Sequence, residues 1–139
     1  MRKHFKSIKF LEIFDEKDSI ENQVKFLRNS IQNIGIEDRE KIISYLKSGQ
    51  MILFRPQIVA DVLSEKEEWI GSTSIYSDGV WLWKDYLVHY LEKYNIQIPP
   101  EFILHAERNN WQSPKISSER EEKITDEILE LSLIQESSN

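Results

Sequence analysis

The stretch "SIYSDGVWLWKDYLVHYLEKY", residues 74–94, decides the fold. It holds two of the four tryptophans and four of the five tyrosines around one Asp-Gly step. The β-rich runs "STSIYS" and "VWLW" flank Asp78-Gly79. Asp-Gly favours a type I′ turn, in which both central residues take positive φ, so residues 72–83 read as a β-hairpin. Strand alternation puts Trp81 and Trp83 on one face and Val80 and Leu82 on the other. Both faces are apolar. The hairpin is therefore covered on each side or shows one face to a partner, with one tryptophan expected buried and the other partly open. After Trp83 the period changes. Asp85 is the expected cap of a helix carrying Leu87, Tyr90, Leu91 and Tyr94, and Asn95 is its stop. Pro100 suits the first position of a further helix, Glu101 its first turn, and Phe102, Ile103 and Ala106 its inward face.

Toward the N-terminus, Ile20, Val24, Leu27, Ile31 and Ile34 recur at helical spacing and predict a helix over 19–34. Asp18 is its expected cap, with Glu21 completing a capping box and Gly35 ending it. A second helix, about 38–48, starts at Asp38, buries Ile42, Ile43 and Leu46, and ends at Gly49. "MILF", residues 51–54, reads as a buried strand. "QIVADVL" fits a strand or a helical turn, and "SEKEE", 64–68, a charged loop. Residues 1–14 fit a strand or a helical lead-in. In the tail, Ser118 and Glu121 suggest a capping box for a helix over about 119–133, with Ile124, Ile128 and Leu131 on one face. The expected architecture is α+β: helices on a small antiparallel sheet containing the aromatic hairpin, with an appended C-terminal helix. Residues 1–114 form one globular domain, and 115–139 an acidic tail with a helix.

The net charge is −6, and −4 of it lies in residues 115–139. Such a balance disfavours nonspecific nucleic-acid binding, which needs Lys and Arg to displace counterions. It suits a basic protein partner, or simply solubility. Trp81, Trp83, Tyr86 and Tyr90 would suit base stacking, but Asp78, Asp85 and Glu92 lie among them and no basic groove accompanies them. No apolar run approaches the ~18 residues of a membrane helix. The absence of cysteine removes disulfides and thiol chemistry and fits a reducing cytoplasm.

Catalytic signatures are missing: no nucleophile elbow, no phosphate-cradling glycine loop, no dinucleotide fingerprint. His89 and His105 sit on consecutive predicted helices, where they can meet and bind a metal with carboxylates. Their spacing matches no metal motif, so hydrogen-bonded or surface histidines are the simpler reading. Asp78 is explained by its turn and Asp85 by its cap. No catalytic residue, cofactor or metal is expected.

One resemblance bears on function. Residues 73–111 combine an apolar strand, Asp78-Gly79, Trp81 and Trp83, the Tyr90–Tyr94 step and a Pro100-Glu101-Phe102 helix start. This run resembles a pattern in small bacterial immunity-type proteins, which neutralise secreted or contact-delivered toxins. The resemblance implies a cytoplasmic, non-enzymatic protein that binds a cognate toxin domain, such as a basic nuclease, and blocks it stoichiometrically. Glu65, Glu67, Glu68 and Trp69 then become the candidate contact, an aromatic anchor in a negative rim. The rival readings are a structural or regulatory interaction module without a toxin, and a small enzyme using His89, His105 or Asp78.

Overall fold

A computed structural model describes residues 7–31 and 36–137. The elements run β1 (Lys9–Phe10), α1 (Ile20–Ser30), α2 (Ile36–Lys47), β2 (Gln50–Leu53), β3 (Ile58–Ala60), β4 (Trp69–Ser72), β5 (Ile75–Ser77), β6 (Trp81–Lys84), α3 (Leu87–Tyr94), α4 (Pro100–Arg108) and α5 (Ser118–Ser137). The chain is α+β. A four-stranded sheet has the order β1-β6-β5-β2, and β3 and β4 form a separate antiparallel pair. The larger sheet is mixed, because β1 lies parallel to β6.

The aromatic hairpin is the centre of this sheet. β5 and β6 pair antiparallel, with Tyr76 opposite Trp83 and Ser77 opposite Leu82. Its turn departs from type I′. Gly79 has φ +99°, but Asp78 is not at positive φ. The central residues are Gly79 and Val80, closed by the Asp78 N–H donating to the Trp81 carbonyl at 3.4 Å. The Asp78 carboxylate completes the turn by accepting from the Val80 and Trp81 amides at 2.9 and 2.7 Å.

Alternation along β6 separates two cores. On one side Trp81 and Trp83, both buried, face α2, α3 and α4. The expectation that one would stay partly open is corrected: Phe102 of α4 meets both rings edge-on, at 5.3 Å from Trp81 and 6.0 Å from Trp83. On the other side Leu82 and Ile75 join Ile8, Ile124 and Ile128. The C-terminal helix thus docks in cis. Arg120 ties it to the hairpin tip by donating to the Gly79 carbonyl at 3.0 Å, and buried Glu127 accepts from the Ser7 amide at 2.8 Å.

Several local expectations shift. Ser19, not Asp18, caps α1, its hydroxyl accepting from the Asn22 amide at 3.1 Å. Asp18 instead accepts from the Asn22 side chain. Leu27 is buried, but Ile20 and Ile31 are exposed, and Ile31 forms an isolated bridge to Ile96. Ile34, Gly35 and His4 lie outside the described residues. Asp38 falls inside α2 rather than at its cap. Asp85 does not cap α3; it accepts from the Ser72 amide and hydroxyl at 3.0 and 3.2 Å. Ser117, not Ser118, caps α5 by accepting from the Arg120 amide at 3.2 Å. Asn95 ends α3 in the left-handed region at φ 52°, and Pro100 opens α4. Gly49 is not a left-handed stop. A Cβ there would run into the Trp83 indole, so the position is small because the ring lies against it.

Two outcomes follow from this packing. Gly49→Ala should cost on the order of 1–3 kcal/mol through steric overpacking against Trp83, and a denaturant midpoint equal to wild type would contradict the contact. Ile124→Ala should cost roughly 2–5 kcal/mol by opening a cavity beneath α5. An unchanged melting curve for that variant would detach α5 from the core.

Candidate functional site

Two buried aspartates organise the polar side chains. Asp78 accepts at Oδ2 from the Tyr45 hydroxyl (2.6 Å) and bonds His105 Nε2 (2.9 Å). Asn109 donates to the Tyr45 oxygen at 3.0 Å. Asp61, just after β3, repeats the arrangement. Its Oδ2 bonds His89 Nε2 at 2.8 Å and accepts from the Tyr94 hydroxyl at 2.7 Å, while Oδ1 accepts from the Leu63 amide at 2.8 Å. Both carboxylates are fully shielded from solvent. His89 and His105 therefore do not meet; each binds its own aspartate.

Burial by itself would raise the Asp61 pKa. The bonds from His89, Tyr94 and the Leu63 amide outweigh it and hold the group below the usual aspartate value. The tyrosines move the other way. Burial, reinforced by the Asp78 carboxylate, raises Tyr45 well above an ordinary tyrosine. Burial pushes Tyr90 up to about 12, although the Val62 amide donating to its oxygen opposes the shift. These hydroxyls are fixed donors and acceptors near neutral pH. A His–Asp pair can orient an imidazole for proton transfer. A cavity of about 200 Å³ lined by Leu46, Lys47, Tyr76, Trp83, Asp85 and Val88 includes neither histidine.

The Asp61 cluster does position a surface. The loop from Asp61 to Glu68 is closed by the Asp61 N–H donating to the Glu68 carbonyl at 3.0 Å. Glu68 Oε2 accepts from Lys93 Nζ on α3 at 3.0 Å. The loop leads into the β3–β4 pair, whose inner residues Val59 and Ile70 pack on the main core. Across this pair Ala60 lies opposite Trp69 and Ile58 opposite Ser72, with a register shift between Val59 and Ala60. Trp69 and Ile58 are each 62% exposed, and Glu65, Glu67 and Glu68 are exposed beside them in sequence. By contrast Trp81, Trp83, Tyr90 and Phe102 are all buried, and Tyr94 is partly so.

Sequence reading missed Asp61, Tyr45 and Asn109. Asp61 left a trace: a lone carboxylate inside the apolar run Val59-Ala60-Asp61-Val62-Leu63 must find donors once that run is buried. Tyr45 and Asn109 lie 33 and 31 positions from Asp78, and no local pattern links them. No known protein family model matches the chain, and no curated protein or solved structure shows a match to it.

The sign of the Asp61 linkage gives a test. Its folded-state pKa lies below the unfolded value, so the ionised group contributes stability that is fully present above the ordinary pKa of about 3.9. That contribution is lost as pH falls through the lower folded value. The stability gap between wild type and Asp61→Asn should be widest above about pH 5 and narrow on acidification. A gap constant across this range would contradict the assigned role.

Proposed function

We propose that this chain is an immunity-type protein that binds a basic toxin domain and blocks it through the outer face of β3–β4. The observation that carries the reading is Trp69, 62% exposed on a paired strand that follows an acidic loop, with Ile58 of the neighbouring strand equally exposed. An exposed indole on an anchored strand loses little conformational freedom on docking and gains much when desolvated. Glu65 and Glu67 supply a negative rim that steers a cationic partner. Glu68 is partly balanced by Lys93 and serves more to hold the loop. The net charge of −6 adds to the same field. Blocking of this kind needs no cofactor and takes place in the cytoplasm of the protected cell. A regulatory module without a toxin would use the same surface, and the identity of the neighbouring gene separates the two.

The test is co-expression with the toxin domain encoded next to this gene, scored by survival and by binding of the purified pair. Trp69→Ala should raise the dissociation rate about 30-fold or more, the effect of a hot spot worth ~2 kcal/mol. Glu65→Lys with Glu67→Lys should slow association and flatten its salt dependence. Full protection by the triple variant would place the interface elsewhere. Failure of the wild-type protein to protect would remove the immunity reading for that pair.

A further inference from the structure

The second aspartate cluster has a chemistry that its structural role does not exhaust. A ring nitrogen of His89, an Asp61 oxygen and a Glu68 oxygen lie within 4.8 Å of one another. They come from three separate supports: α3, the end of β3 and the loop before β4. We propose that Asp61, Glu68 and His89 form a binding site for a divalent transition-metal ion of the zinc class.

The geometry needs little adjustment. Donors around a tetrahedral zinc lie about 2.0–2.2 Å from the ion, which places them roughly 3.4 Å from each other. His89 Nε2 and Asp61 Oδ2 are already 2.8 Å apart, so an ion between them has only to widen that gap slightly. Glu68 is on the solvent side of the cluster, with its side chain 45% exposed, and can swing in without disturbing the core. The Tyr94 hydroxyl donates to Asp61 Oδ2 and would help to hold that carboxylate in place.

A cation already stands in this position. Lys93 Nζ lies 3.0 Å from Glu68 Oε2 and 3.8 Å from Asp61 Oδ2. The ammonium marks the point where the two carboxylates concentrate negative potential, and it is the competitor a metal must displace. Lys93 is 44% exposed, so its ammonium can move toward solvent, at the loss of its contact with the Tyr94 ring 5.5 Å away. One nitrogen and two carboxylate oxygens suit zinc, cobalt or nickel; magnesium and calcium prefer all-oxygen sites. A bound ion would cross-link the acidic loop to α3 immediately before Trp69. This inference does not depend on the toxin-binding reading.

Chelator-treated full-length protein should be titrated with zinc chloride by calorimetry and thermal melting, and with cobalt chloride by visible absorption. Wild type is expected to bind one zinc ion per chain, melt higher with zinc than with magnesium, and turn cobalt to the intense spectrum of a low-coordinate site. Glu68→Gln, a surface change, should weaken binding at least ~10-fold, and His89→Gln should abolish it. Lys93→Met should tighten binding by removing the competing ammonium. Absence of zinc binding by both wild type and Lys93→Met would overturn the proposal. So would zinc binding unchanged in the folded Glu68→Gln variant.

Discussion

A buried carboxylate is stable only if donors replace the water it loses. Asp78 finds four: the amides of Val80 and Trp81, the Tyr45 hydroxyl and His105 Nε2. The first two shape the turn between β5 and β6. The others come from α2 and α4 and fasten the hairpin tip to both helices. That fastening fixes where Trp81 and Trp83 point, and so where Phe102 and Tyr45 must pack. Phe102 stands edge-on to Trp81, Trp83 and Tyr45. Rings of this size pack well only at defined offsets, so a shift of the turn would propagate through the cluster. Trp81, Trp83, Tyr86 and Tyr90 of this stretch are thus interior residues, and the two tryptophans follow a turn that the Asp78 carboxylate holds.

Asp61 applies the same logic at the edge of the fold. It too takes a histidine and a tyrosine, here from α3, and it closes the loop that precedes β4. The consequence is different because β3 and β4 stand outside the main sheet. Their inner residues seal the core, and their outer residues keep Trp69 and Ile58 in solvent. An acidic loop anchored at both ends, followed by an indole on a paired strand, is the surface proposed above for the partner, and its anchoring limits the freedom that docking would cost.

How much of this was legible follows from the range of each interaction. The hairpin, the Asn95 stop, the Pro100 start and the tail helix rest on local backbone preferences, and each could be read from a few adjacent residues. The caps at Ser19 and Ser117 were displaced by one residue, because neighbouring Asp18 and Ser118 carry side chains of the same capability. The turn was misjudged because the Asp78 carboxylate, not its backbone, supplies the special geometry. β1 is two residues long, too short to show a period, and its parallel pairing with β6 joins residues some 70 positions apart. The two histidine–aspartate pairs span 28 and 27 positions, so each became visible only when α3 and α4 were in place. Of the expected contact residues, Glu65, Glu67, Glu68 and Trp69 proved exposed, but their tie to α3 through Asp61 and Lys93 had no signature at all.

Under the proposed function the 74–94 stretch serves stability, while recognition lies on the outer β3–β4 face. Hydrogen–deuterium exchange of the chain, free and bound to the toxin domain that the proposed function requires, separates these roles directly. New protection confined to about residues 58–72, with β5, β6 and α4 already slow in the free protein and unchanged on binding, is the predicted result. Binding that protects α1 or the α4 surface while leaving 58–72 unaffected would contradict it.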